Sequence, residues 1–177
     1  MSSWADNLEQ LKNDLTAQPM RIAAHKDMPF AIFRYDPGAE FLLRKQLRLL
    51  SITLQREHGR NVTFISLSRL VWEAIQAHGG TDYLFKTEST RGFQAAQQHI
   101  NHLLTSPDFQ PAAETLLAKI IALDQDKDIV FLVRAGGFAP GIFRVSVLLD
   151  GLHRHTKVPV VLFYPGQGFV QQVANVD

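Results

Sequence analysis

The chain has no cysteine, which excludes disulfides, thiolate metal sites and a cysteine nucleophile. Neither charge sign is in excess: Lys plus Arg number 18 against 17 for Asp plus Glu, a formal net charge of +1. That balance argues against a nucleic-acid binder with a broad basic surface. No run approaches the ~18 apolar residues of a membrane-spanning helix. The opening MSSWADNLEQLKNDL carries acidic residues early and lacks the apolar centre of a secretory signal, so a cytoplasmic protein is expected. There is no internal repeat, low-complexity tract or linker rich in Gly, Pro or Ser along the 177 residues. A chain of this length can bury roughly 70% of the surface its unfolded form exposes, so a single α/β domain over residues 1–177 is expected.

What is present is a regular alternation of helix and strand patterns. Trp4, Leu8, Leu11 and Leu15 recur at helical spacing and predict an amphipathic helix ending before Pro19. FAIFRY, residues 30–35, reads as a strand, and Asp36-Pro37-Gly38 as a turn, because Pro sets φ and Gly frees it. A helix is expected over 39–56, with Leu43, Leu47, Leu50 and Leu54 as one stripe and Phe41, Leu49 and Ile52 on another side, a pattern that predicts burial on two sides. Gly59 should end it. VTFISL, 62–67, predicts a second strand, followed by a helix capped by Ser66 or Ser68 and carrying Leu70, Val71, Ala74 and Ile75, closed by Gly79-Gly80. Residues 83–86 read as a short apolar break, 93–104 as a helix stopped before Pro107, and Pro111 as the opening of a helix burying Ala113, Leu116, Leu117, Ile120 and Ile121. Phe169 to Val173 suggests a last edge strand.

The densest segment is Asp128 to Gly166. Ile129 to Val133 and Val158 to Tyr164 are apolar runs too continuous for half-exposed strands, so both are expected in the interior of a covered sheet. Between them Pro140 suits a first helical turn, and Ile142, Val145, Leu148, Leu149 and Leu152 follow at helical spacing. This is a βαβ unit with parallel strands. The whole order predicts an α/β fold, a three-layer sandwich around a mainly parallel sheet of four or five strands.

Ligands of such sheets sit beyond the carboxyl ends of the strands, so the loops after Tyr35, Leu67, Val133 and Tyr164 are expected to share one rim. The loop after Tyr35 lacks the G-x-x-x-x-G-K-[ST] pattern and cannot form the usual phosphate cradle. Arg134-Ala135-Gly136-Gly137-Phe138 is the better anion candidate: two glycines allow close backbone approach, the helix start offers free N–H groups, and Arg134 and Arg144 add forked donors. The alternative is a plain turn at Gly136 and Gly137, with Arg134 paired to a carboxylate such as Asp36. Phe138 and Phe169 sit in glycine-flanked loops, where an exposed aromatic could anchor a partner or fold back onto its own domain. His99 and His102 lie at i, i+3 without a carboxylate at ligand spacing, and His153-Arg154-His155 sits beside cations, so solvated histidines are expected and no metal. Ser66 and Ser146 lack a His-and-acid context or a G-x-S-x-G elbow. No catalytic residue, cofactor or enzymatic activity is indicated.

Arg134, Gly136, Pro140, Arg144, Ser146, Leu148 and Leu149, then Pro159 and Phe163-Tyr164-Pro165-Gly166, together with a strand ending in Tyr35-Asp36, resemble the signature of the BrxB family of bacteriophage exclusion (BREX) defence systems. The expected sandwich is similar to a degenerate nucleotide-binding fold, and the family resemblance implies a component of a phage-defence complex, working with a PglZ-like protein of the phosphatase superfamily, a methyltransferase and a large ATPase. It favours a non-enzymatic adaptor that docks such partners through the rim, through helix 39–56 or through the N-terminal helix. The alternative is binding of a nucleotide or a nucleic-acid phosphate at Arg134 and its neighbours. Direct contact with DNA and homo-oligomerisation stay open.

Overall fold

The computed structural model describes residues 4–18, 20–23, 29–109, 111–138, 142–152 and 155–166. Its sheet has four strands, β1 (Phe30–Tyr35), β2 (Asn61–Ser66), β3 (Asp128–Val133) and β4 (Val160–Pro165), in the order β1-β4-β3-β2. β4 runs parallel to both neighbours, with Phe30 beside Val160 on one side and Val130 beside Val160 on the other. At the far edge the Asn61 amide donates to the Lys127 carbonyl at 2.8 Å, and its side chain donates to Asp128 at 3.1 Å. The starts of β2 and β3 therefore coincide, and the two strands point the same way. The expected α/β class with a parallel sheet is what the chain builds. Its two most apolar runs take the interior places, because only a strand covered on both faces favours unbroken Ile129-Val130-Phe131-Leu132, each of which is fully buried.

The chain forms two compact units: Met1–Ile65, Leu123–Val133 and Lys157–Asp177 make the first, Ser66–Ala122 and Arg134–Thr156 the second. In the first, α1 (Trp4–Thr16) and α2 (Glu40–His58) share one core with the sheet. Leu11 and Leu15 of α1 and Leu43, Leu47, Leu50 and Leu54 of α2 meet Phe33, Phe131 and Phe163, residues that alternate along their strands and so share a sheet face. A row of phenylalanines crosses all four strands, Phe33 to Phe163 at 5.5 Å, Phe163 to Phe131 at 5.0 Å and Phe131 to Phe64 at 5.6 Å between ring centroids. Such cross-strand aromatic pairs contribute roughly 0.5–1.5 kcal/mol each beyond area burial. Gly59 ends α2 in the left-handed conformation, φ 64°, with its N–H on the Gln55 carbonyl, a position where a side chain would strain the backbone.

The second unit holds α3 (Leu67–Ala77), α4 (Gly80–Arg91), α5 (Phe93–Thr105), α6 (Ala112–Ile121) and α7 (Val145–Leu152). The Ser66 hydroxyl caps α3 by accepting from the Arg69 amide at 3.3 Å, and Leu70, Val71, Ala74 and Ile75 are buried as their spacing requires. Three expectations need correction. Residues 83–86 are the middle of α4 rather than a break: this helix has no apolar face, buries only Thr87, and shows no period in the sequence. In α6 the buried face is Ala112, Leu116 and Ile120, while Ile121 is exposed, since it follows Ile120 by about 100° around the axis. α7 opens at Val145, so Arg144 stands immediately before the helix and not four residues into it. The expected first turn at Pro140 and the edge strand at Phe169 lie outside the described residues.

Candidate functional site

The loop leaving β3 was the leading anion candidate, and local packing explains its shape. Arg134 is exposed and is the sole non-glycine residue with positive φ, 60°, among the described residues. It turns the chain into a 3-10 turn over Ala135–Phe138, and the Gly137 amide donates to its carbonyl at 3.1 Å. Ala135 and Phe138 point inward, and Phe138 is 2% exposed with its ring 5.1 Å from that of Phe143. Phe138 is therefore a core residue and not an exposed anchor, because a ring of this size is worth more packed than solvated. Gly137 lies against the start of α3: a Cβ on it would stand 2.7 Å from the Ser68 Cβ and 2.8 Å from its Cα. Its missing side chain serves close packing within the unit. Gly136 and Arg144 are exposed, and the Asn101 side chain holds the backbone nearby by donating to the Ile142 carbonyl at 2.6 Å.

Asp36, at the carboxyl end of β1, has a local role. Its exposed carboxylate accepts from the Gly38 amide at 2.7 Å and so caps the 3-10 turn Pro37–Ala39. Beside it lies a cluster that sequence reading missed. The Tyr35 phenol donates to Glu40, Glu40 accepts from Arg44 Nε at 2.8 Å, and the Arg44 guanidinium stands 5.4 Å from the Phe41 ring centroid. Burial, and then the Glu40 carboxylate, push the Tyr35 phenol well above its ordinary range, while Arg44 pulls the other way. The phenol is protonated at physiological pH, as tyrosine ordinarily is, and acts there as the donor to Glu40. The i, i+4 spacing of Glu40 and Arg44 was the readable signal; the reach of Tyr35 to them depends on where β1 ends.

The second stripe of α2 is also corrected. Phe41 is 80% exposed, Leu42 51%, Leu49 50% and Ile52 46%, so this side is not buried. Lys45, Arg48 and Arg56 on the same side are exposed and form no ion pair among the described residues. Leu49 also borders a groove of about 300 Å³ between α1 and α2, lined in part by Leu8, Lys12 and Thr53.

The histidines of α5 are not simply solvated. His99 packs 4.8 Å from the Tyr83 ring, and His102 and His78 flank Phe109 at 5.2 and 4.8 Å. Nε2 of His78 and of His99 is buried without a hydrogen-bond partner among the described residues. Burial, then the charges of His102 and His78, lower the His99 pKa. No group of three or more His, Asp or Glu among the described residues is arranged to hold a metal ion.

The family model for BREX protein BrxB matches residues 63–174, which include the turn out of β3, α7 and β4. The chain belongs to the BrxB family. A BREX protein BrxB from Bacillus cereus (strain H3081.97) is 26% identical over 141 residues, covering 79% of this chain and 71% of the relative. No solved structure matches. Membership makes the protein a component of a BREX phage-defence system. No helix among the described residues is long and apolar enough to cross a membrane.

Proposed function

We propose that this BrxB-family protein is a non-enzymatic adaptor that binds other BREX components, first of all the PglZ-like phosphatase-superfamily protein, with the methyltransferase and the large ATPase as further partners. The observation that supports this most is the set of large apolar side chains left in solvent on helices: Phe41 at 80%, Phe93 at 67%, Phe85 at 65% and Trp72 at 53% exposure. Single exposed apolar residues are ordinary, but repeated exposed aromatics are what protein interfaces select. Tagged protein co-expressed with the other components of its system should retain the PglZ-like protein through affinity and size-exclusion steps. Elution of every component apart from it would overturn the adaptor reading.

A second reading keeps one specific observation: Arg134 is exposed and left-handed, two residues before the exposed Gly136, with Arg144 also exposed. It would make the β3 loop a site for a nucleotide or nucleic-acid phosphate. Calorimetry with ATP and with short DNA, comparing wild type with Arg134→Ala, decides it: binding by wild type that the variant loses supports the reading, and absence of binding by wild type removes it.

A further inference from the structure

The outward side of α2 mixes exposed apolar and cationic side chains. At about 100° per residue, Ile52, Lys45, Arg56 and Leu49 fall in that order between Phe41 and Leu42, with Arg48 just beyond Phe41. Apolar and cationic positions therefore interleave within roughly a third of a turn and run from Phe41 to Arg56, about 22 Å at 1.5 Å per residue. The opposite side of the same helix, Leu43, Leu47, Leu50 and Leu54, is packed into the core, so the helix is fixed and its outer side is presented as a rigid strip. The carboxylates around the strip have other partners, Glu40 with Tyr35 and Arg44, Glu9 with Lys12 at 3.6 Å and Glu57 with His58 at 4.0 Å, and Lys45, Arg48 and Arg56 form no ion pair among the described residues.

From this pattern we infer that the Phe41–Arg56 strip of α2 docks an acidic amphipathic helical segment of another BREX component, a surface assignment that rests on the adaptor reading. Phe41, Leu49 and Ile52 would take apolar anchors spaced i, i+3, i+4 on the incoming helix, and Lys45, Arg48 and Arg56 its flanking carboxylates. The groove beside Leu49, bordered by Leu8 and by the Glu9–Lys12 ion pair of α1 at 3.6 Å, offers an apolar extension to one side rather than a further cation. A second copy of this chain fits poorly, since a two-fold interface would gather both sets of three cations into one contact without a carboxylate of the strip to offset them. An anionic membrane fits poorly too: Lys45 lies between Phe41 and Leu49 around the helix, so insertion of those side chains would carry its ammonium toward the hydrocarbon. Nucleic acid would use the cations and leave Leu42, Leu49 and Ile52 in water.

The test places a photo-crosslinking phenylalanine derivative at position 49 of the full chain, co-expressed with the other components of its system. The crosslinked peptide is identified by mass spectrometry, and it should be an acidic segment with apolar residues at helical spacing. The double variant Lys45→Glu, Arg48→Glu should reduce co-purification of that component at least tenfold with unchanged melting temperature. Reversing the charge of the crosslinked carboxylates should restore it. If wild type and the double variant co-purify the component equally, the strip is not the docking surface even though the adaptor reading stands. If wild type retains no component, the adaptor reading fails first. Crosslinking to a second copy, or binding of phosphatidylglycerol vesicles or duplex DNA that the double variant abolishes, would assign the strip to a different occupant and overturn the inference.

Discussion

Replacing Gly137 by alanine separates a packing role for the β3 loop from a ligand role. The added Cβ would lie 2.7 Å from the Ser68 Cβ, 2.8 Å from its Cα and 3.4 Å from its amide nitrogen. Carbon atoms in contact prefer about 3.5–4.0 Å, so close to 1 Å of separation has to be created. The obstruction includes backbone at the start of α3, which the Ser66 cap and the buried Leu67 and Leu70 hold in place. Overpacking of this kind costs about 1–3 kcal/mol. Gly137 is not among the glycines with positive φ, so alanine fits its backbone conformation and recovers about 0.4–1 kcal/mol from the unfolded state. The net loss lies within about 0–2.6 kcal/mol, and the clash with backbone at 2.8 Å places it in the upper half, about 1.3–2.6 kcal/mol. For a chain of this size that lowers the melting temperature by about 3–10 °C, read by circular dichroism. Ser68→Gly removes the 2.7 Å contact and leaves the 2.8 Å one, so Gly137→Ala should cost less in the Ser68→Gly background than in wild type but still be destabilising there. An unchanged or raised melting temperature for Gly137→Ala would refute the packing account and return this glycine to the anion-cradle reading.

Tyr35→Phe removes the hydrogen bond to Glu40 and should cost about 1–2 kcal/mol in urea denaturation at neutral pH, since a charged acceptor loses one of its donors. Because the folded phenol titrates above its unfolded value near 10, wild type should lose stability as pH rises beyond that value, and Tyr35→Phe should lose less; equal slopes would refute the assignment. His99 has the opposite sign. Its folded pKa lies below the unfolded value near 6.5, so its contribution is complete above that pH and is lost as pH falls through the folded value. Melting curves from pH 8 to 5 should be flatter for His99→Gln than for wild type, and parallel curves would refute this. Arg134→Gly relieves a left-handed residue at φ 60° and should be more stable than Arg134→Ala by up to about 1 kcal/mol; the reverse order in urea would mean that the turn does not hold that conformation in solution.

Much of this protein was legible in the chain because periodicity is a local property. The strand Phe30–Tyr35 follows from its own residues and bounding turn. The continuous apolar runs placed β3 and β4 inside the sheet, since no half-exposed strand would carry Ile129 to Leu132 unbroken. The motif around Arg134 and Arg144 pointed to the BrxB family before any geometry was known. What a local pattern could not supply was the partner of each surface. Phe41, Leu49 and Ile52 have the spacing of a buried stripe, yet burial depends on another element reaching them, and they stay in solvent. Phe138 sits in a glycine-flanked loop that suggests exposure, yet a left-handed Arg134 and the approach of Gly137 to Ser68 accompany its inward turn against Phe143. The Tyr35–Glu40–Arg44 cluster depends on the aim of a strand end. Composition and spacing determined the strands, most of the helices and the family they serve; α4, which has no apolar period, and the choice of which faces are covered were decided by packing, because burial is a relation between distant segments.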